Sequence, residues 1–442
     1  MQRLAWFSPV PPDRSGIAQH SADLLPALAR DRVIDLFTTT AATAPIAGAA
    51  GLFPVREFLQ RQRTAPYDLI VYHLGGATCH DDVWPCLLRH PGLVVLHDDN
   101  FHEARARMLL AQGRVGDYRA ELAYNHPGAP AAVAELGVSG LPGALVRLWP
   151  MRQIVLDSAR ALLVHNAWLA ARIREEAPAL GVDVVEPGVS DAPHDPDGRA
   201  AVRRQYGVPA DAVVFAAGGD LTPARRISRM LRALAALPAG APSWRLMLQG
   251  EPTDADALLA DARALGVDRN LCVTGRIAAD VMPAYLAAAD VGVSLRWPPT
   301  RTVSAEWLHW LAAGKPTIVT DLVHASDVPA LDPRDWTVAG RPAARDADGN
   351  PIDPVAVAID ILDEDHSLAL AVARLAADHA LRAELGRAAH NLRAARYTFD
   401  RMAVGYQRAI GNACRATYDE ARRAHLPAHL LDGAAPQSPG KP

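Results

Sequence analysis

Residues 296–321 read RWPPTRTVSAEWLHWLAAGKPTIVTD, and residues 291–295 before them read VGVSL. The apolar run has the length of a buried strand. The polar loop after it leads into a helix ending at Gly314, and Lys315-Pro316 open the next strand, TIVTD. Glycine just past a helix, with proline beyond it, is a stop signal. Strand, loop, helix and strand in this order make a βαβ unit with two parallel strands. Thr300, Thr302, Ser304 and Ala305 precede the helix N-terminus, where unpaired backbone N–H groups can bind phosphate.

The same alternation extends in both directions. Strands are expected at 4–9, 33–38, 69–74, 92–98, 161–166 and 182–188, and again at 213–219, 244–250, 271–275, 291–295 and 316–321. Nearly continuous apolar strands separated by helices predict parallel sheets covered on both faces. The stretch SDAPHDPDGRA at 190–200 is rich in Asp, Pro and Gly and reads as a linker. The expected fold is α/β, with two doubly wound Rossmann-like domains and a hinge near residue 195. Beyond about residue 350 the pattern is helical, and the end of the tail after His425 reads as disordered. A Pro/Gly-rich break within 126–143 predicts an exposed insertion.

A chain of 442 residues is too long for one core. Half of it is hydrophobic, 21% is charged and the net charge is −4, so no bulk field favours nucleic acid or an anionic membrane. The start, MQRLAWFSPVPPDRSG, has no signal-type apolar core, and no apolar run has the length of a membrane span. Cys79, Cys86, Cys272 and Cys414 form no CxxC pair and no zinc spacing, which reads as reduced thiols in a cytoplasmic protein.

Four further segments carry candidate chemistry. In FSPVPPDRSGIAQHSADLLPALA, residues 7–29, a strand ends in a proline-rich turn, Ser15 can cap the helix that follows, and Gly16 allows close backbone approach. It reads either as a plain strand-to-helix turn or as a loop lining a ligand cleft. His97-Asp98 is a polar pair at the carboxyl end of GLVVLHD, where cleft residues of a parallel sheet sit. His73, His80 and His102 are near in sequence, but no HxxxH or HExxH spacing supports a metal, and no metal ligand is assigned. In GGDLTPARRISRMLRALAAL, residues 218–237, Thr222-Pro223 begin a helix and the forks of Arg225 and Arg226 suit phosphate oxygens. In VTGRIAADVMPAYLAAAD, residues 273–290, Gly275-Arg276-Ile277 turn off a strand and the helix MPAYLAAAD follows.

Taken together and in order, these blocks resemble the retaining GT-B glycosyltransferases of family 4, of the bacterial glycosyltransferase group 1 type. The likeness runs over roughly residues 4–410 and is carried by FSPVPPDRSGIA, by HLGG and LLRHPGLVVLHD, by GGDLTPARR against the pattern G-R-L-x-P-x-K, by TGRI with YLAAAD, and by LAAGKPTIVTDL with DVPALDP. It implies two domains facing an interdomain cleft, with residues 1–195 taking the acceptor and 196–395 the donor, and residues 396–442 forming a helix and tail that return towards the N-terminal domain. It implies transfer with retention from a nucleotide-sugar donor, a substrate rather than a cofactor, to an unknown glycan or lipid-linked acceptor in polysaccharide or glycoconjugate assembly. Peripheral membrane contact remains open.

By the same resemblance, Gly16 lies near donor phosphates and His97, with Asp98, near the sugar. Arg225 and Arg226 would clamp the diphosphate, and Gly275, Arg276 and Ile277 would read the base. Asp220 stands where the family has arginine. The two positions where family members usually carry glutamates fall on Thr302 and His309, and Glu306 either substitutes for one of them or is an acid of the helix start. The missing carboxylates motivate a second reading, a relative that binds nucleotide or a partner without turnover, and a third is another GT-B chemistry, a sugar-nucleotide epimerase.

Overall fold

The structure, a computed structural model, describes all residues except 14, 40–43, 141–142, 144, 193, 300–301, 323–327, 339–350 and 432–442. The chain divides into two compact units. One comprises Met1–Glu186, Thr300–Thr302 and Asp400–Pro442, the other Pro187–Pro299 and Val303–Phe399.

The first unit is built on a seven-stranded sheet of β1 (Gln2–Phe7), β2 (Arg32–Thr38), β3 (Gly51–Pro54), β4 (Leu69–Leu74), β5 (Leu93–Leu96), β6 (Ala161–Val164) and β7 (Val182–Val184). Their order is β3-β2-β1-β4-β5-β6-β7, and every pair is parallel. The strand LIVYHL of β4 is buried throughout because both faces of the sheet are covered. On one face Phe7, Tyr72, Val94 and Leu162 join a common core. On the other, Trp6 donates its indole N–H to Ser21 Oγ at 3.2 Å and lies 6.1 Å from the Tyr406 ring, so the helices Gly16–Leu28 and Phe399–Arg415 cover that side. Leu426 and Leu430 enter the first core, and Tyr418 donates its hydroxyl to the Asp157 carbonyl at 2.6 Å.

The second unit has its own seven strands: β8 (Val213–Gly218), β9 (Trp244–Gln249), β10 (Leu271–Val273), β11 (Val291–Ser294), β12 (Thr317–Thr320), β13 (Ala330–Leu331) and β14 (Ala356–Ile359). The order is β10-β9-β8-β11-β12-β14-β13, again all parallel. Met230, Leu231 and Leu234 of the helix Ile227–Ala235 pack with Phe215, Leu246 and Val293 on one face. Val214, Ala216 and Met247 meet Trp310 on the other. Gly292 is what lets that indole lie flat on β11, since a Cβ there would stand 2.5 Å from Trp310 Cγ. Each fully buried large apolar side chain contributes about 1.5–3 kcal/mol, so the two cores, and not helix propensity, hold these elements.

In both sheets the chain moves outward from its first strand and then crosses back. The order reverses between β1 and β4 in the first unit and between β8 and β11 in the second. Ligands of open parallel sheets bind beyond the carboxyl ends of the strands at such reversals. These two places therefore hold the candidate sites.

All eleven expected strands are present; the one at 69–74 has the expected ends, and no end of the others is displaced by more than four residues. Three others are not anticipated. AVAI at 356–359 lies in the stretch read as helical, yet it pairs with β12 and is buried on both faces. A four-residue apolar run has no period of its own, so tertiary pairing decides it. The stretch at 126–143 contains a helix, Ala131–Val138, whose Val133 and Ala134 pack near Tyr118 rather than standing free. Within the linker-like segment, Asp195 caps a helix at Pro196–Gln205. The expectation of disorder at the tail end falls on residues 432–442, outside the described residues.

Candidate active site

In the second unit two strand-to-helix turns flank the β8–β11 reversal. The first leaves β8 at Gly218-Gly219. Thr222 makes no side-chain cap. Pro223–Arg225 form a short 3-10 turn, and Arg226, at φ 58°, turns the chain into the helix Ile227–Ala235. The second follows β11. Ser304 caps the helix Ala305–Ala312, its hydroxyl oxygen accepting from Trp307 N at 3.4 Å. Trp307 and Trp310 are core residues.

Glu306 ties the two turns together. Its Oε1 accepts from Gly218 N at 2.6 Å and from Trp310 Nε1 at 3.3 Å, and its Oε2 accepts from Arg225 Nη1 at 2.5 Å. Both of its carboxylate oxygens are engaged in this arrangement. Arg225 lies under the β8 turn, its Nη2 3.2 Å from where a Gly219 Cβ would be. Arg226 is held elsewhere, in a two-bond fork to Glu364 with Nε at 2.8 Å. The two adjacent arginines thus have separate carboxylate partners. Asp220 is exposed and, among the described residues, has no ion-pair partner.

His309 is one turn along the helix from Glu306 and exposed to solvent, although crowding by protein atoms lowers its pKa. Ala305 is exposed at the helix start. Gly275 has φ 69°, with Thr274 Oγ1 bonded to the Leu248 carbonyl, and Arg276 is exposed beside the half-buried Ile277. Thr302 clusters with the first unit and Ser304 with the second.

In the first unit Ser15 caps the helix Gly16–Leu28, accepting from Ala18 N at 3.2 Å, and a Cβ at Gly16 would meet nothing within 4 Å. Among the described residues, no contact demands glycine there. Asp98 accepts from Gly76 N at 2.8 Å through Oδ2. His97 is not alone. Its Nε2 lies 2.8 Å from His73 Nδ1, and His20 and His165 stand beside it, with ring centroids 5.3 and 4.9 Å from its own. Burial holds all four imidazoles below their ordinary range, His20 down to about 3, so they are neutral near pH 7. His80 is also buried. His102 lies outside this group, bonded to the Trp149 carbonyl and the Tyr118 hydroxyl, both at 2.8 Å.

His20 and His165 were not among the candidate site residues read from the sequence. A signal existed for His165. ALLVHN ends in a polar pair as GLVVLHD does, and LIVYHL carries His73 near its end, so three strands bring histidine to one sheet edge. His20 comes from a helix, and its place depends on how that helix crosses the sheet.

Residues 212–343 match the sequence profile of the family described as Glycosyl transferases group 1. Among curated proteins, the chain is 32% identical over 240 residues to the D-inositol 3-phosphate glycosyltransferase of Saccharomonospora viridis, covering 48% of this chain and 54% of that protein. It is 31% identical over 160 residues to the GDP-mannose-dependent alpha-(1-6)-phosphatidylinositol monomannoside mannosyltransferase of Mycolicibacterium smegmatis, covering 36% and 41%. The chain thus spans about half the length of the curated relatives it matches. Among solved structures, HepE of Anabaena in complex with UDP and glucose superposes with a TM-score of 0.61 at 15% identity, over 93% of this chain and all of that one. Sucrose-phosphate synthase of Thermosynechococcus elongatus gives 0.63 at 15% identity, over 93% and 99%. No helix among the described residues is long and apolar enough to cross a membrane. The chain has the two-sheet α/β fold of GT-B glycosyltransferases, and residues 212–343 are similar to the Glycosyl transferases group 1 family.

Proposed function

We propose that the protein is a glycosyltransferase that moves a sugar from a nucleotide-sugar donor to a glycan or lipid-linked acceptor, with retention at the anomeric carbon. The observation that carries this reading is the junction of the β8 turn and the helix Ala305–Ala312 through Arg225 and Glu306, at the strand reversal and inside the matched region. A departing nucleoside diphosphate needs its growing charge stabilised. The N–H groups at the start of the Ala305–Ala312 helix and the guanidinium of Arg225 supply that stabilisation without a reorganisation cost. Glu306 fixes the guanidinium while leaving donors unused, since a guanidinium has five. The turn Gly275–Ile277 is the proposed base contact. The first unit is the proposed acceptor unit, with His97 as a neutral hydrogen-bond acceptor for a sugar hydroxyl. The names of the curated relatives support an acceptor of polyol or glycolipid type.

The test is calorimetry of the full chain with UDP, GDP and ADP, followed by donor hydrolysis and transfer assays with the sugar conjugate of whichever binds. Failure of all three nucleotides to bind would overturn the reading. Binding without hydrolysis or transfer selects the second reading, a nucleotide-binding relative without turnover. That reading is favoured by Thr302 and His309 standing where carboxylates are expected, and by Glu306 being engaged with Gly218 and Arg225.

A further inference from the structure

The imidazoles of His20, His97 and His165 come from three elements of the first unit: the helix Gly16–Leu28, the residue after β5 and the residue after β6. Each has one ring nitrogen within 4.8 Å of a ring nitrogen on both of the others. The ring centroids form a nearly equilateral triangle with sides of 5.3, 5.5 and 4.9 Å. A tetrahedral ion with metal–nitrogen bonds of 2.0–2.1 Å would hold three imidazole centroids about 5 Å apart and their ligating nitrogens about 3.3 Å apart. The rings already have that spacing, and small ring rotations bring the nitrogens in.

The outer contacts match as well. His165 Nδ1 is 2.9 Å from the Val185 carbonyl, which can only accept, so Nδ1 carries the proton and Nε2 a lone pair. That Nε2 is buried and has no hydrogen-bond partner among the described residues. His97 Nε2 faces His73 Nδ1 and His20 Nε2 faces the Tyr406 hydroxyl, each at 2.8 Å. With protons on those two nitrogens, Nδ1 of His97 and Nδ1 of His20 also carry lone pairs, and neither has another partner among the described residues. A metal-bound histidine characteristically donates its second ring N–H to a carbonyl or similar acceptor, as all three do in this arrangement.

We infer that His20, His97 and His165 form a binding site for one late first-row divalent transition-metal ion, with Zn²⁺ as the representative, and with His73, Tyr406 and the Val185 carbonyl as its outer shell. Three neutral nitrogens exclude Mg²⁺ and Ca²⁺ as the preferred ion, because those take oxygen ligands. Three ligands leave a fourth position for water or a substrate oxygen. The ion and a sugar hydroxyl would compete for the one free nitrogen of His97. The inference does not depend on glycosyl transfer, and its test reads the ion directly.

The experiment is titration of the chelator-treated full chain with Zn²⁺ by calorimetry, and with Co²⁺ by visible absorption. The expected result is one ion per chain, with the intense absorption of tetrahedral cobalt. His20→Gln and His97→Ala should each weaken Zn²⁺ binding at least about 100-fold, while Tyr406→Phe, which removes an outer partner, should weaken it about 10- to 100-fold. His20 is half-buried, so His20→Gln is the variant that retains the fold, verified by circular dichroism. No saturable binding, an octahedral cobalt spectrum, or unchanged affinity in folded His20→Gln would overturn the inference.

Discussion

Glu306 and Arg225 stand 81 positions apart in the chain and meet as a buried ion pair, Oε2 accepting from Nη1 at 2.5 Å, with side chains only 9% and 11% exposed. The same carboxylate holds the Gly218 N–H, so one side chain fixes both the end of β8 and the arginine beneath it. Removing one partner of a buried pair leaves the other charge uncompensated, at a cost of about 3–5 kcal/mol. Glu306→Ala should therefore lower the unfolding free energy by about that amount in urea titration. Arg225→Ala should weaken nucleoside diphosphate binding by roughly 1.5–3 kcal/mol, the scale of hydrogen bonds to charged groups. Unchanged affinity in Arg225→Ala would remove this residue from the site.

The neighbouring arginine provides the contrast. Arg226 is committed to Glu364 and occupies a left-handed backbone conformation, φ 58°. Arg226→Ala should leave nucleotide affinity within about twofold while reducing stability, since its ion pair is worth more than an exposed one. Arg226→Gly should be more stable than Arg226→Ala by about 1 kcal/mol, because glycine adopts that conformation without the Cβ penalty. Equal thermal unfolding of the two variants would contradict the backbone argument. A large loss of affinity in Arg226→Ala would return this residue to the phosphate site.

The partners of these two arginines are not legible in the sequence, whereas the elements that carry them are. The strand–loop–helix–strand period at 291–321 gives the sheet architecture because apolar runs and glycine stops are local signals. The turn at Gly218 and the helix start at Ser304 are legible for the same reason. Which carboxylate each arginine meets is not local. Glu306 and Glu364 lie 81 and 138 positions away from their partners, and only the parallel sheet order brings them in. The histidine cluster has the same origin. His20, His97 and His165 share no spacing along the chain that denotes a metal site, and they converge because β5 and β6 are neighbours and the helix after β1 crosses the same edge.

A pH prediction concerns Glu121, which is fully buried between Arg105 and His429. Burial alone would raise its pKa, but the hydrogen bonds from His429 and Arg105 outweigh that and hold it below the ordinary glutamate range. A lowered native pKa means the unfolded chain binds the proton first. The stabilisation is complete above the unfolded value, about 4.3, and is lost as pH falls through the lower native value. Glu121→Gln should cost about 3–5 kcal/mol at pH 7, by leaving Arg105 buried without its counter-charge. It should also flatten the decline of unfolding free energy below about pH 4.3. A variant whose acid limb matches that of the natural chain would show that other carboxylates carry it.

His309 allows a test of the donor site at a position where a carboxylate is expected. A neutral imidazole can accept one hydrogen bond from a ribose hydroxyl and donate another, whereas a carboxylate only accepts. Crowding by protein atoms around this solvent-exposed ring lowers the His309 pKa, so the neutral form persists through pH 7 and protonation begins below the usual histidine value of about 6.5. If the ring accepts from ribose, protonation removes the acceptor. Nucleoside diphosphate affinity should then be level from pH 8 to about 6.5 and fall below it. In His309→Glu the acceptor remains ionised down to the carboxylate range, so binding should be kept and its pH dependence flattened between pH values of about 5 and 7. Calorimetry of both proteins over this range decides the matter. Loss of binding in His309→Glu, or a level profile in the natural chain down to about pH 5, would mean that His309 does not touch ribose, and that the exposed face of this helix serves some other contact.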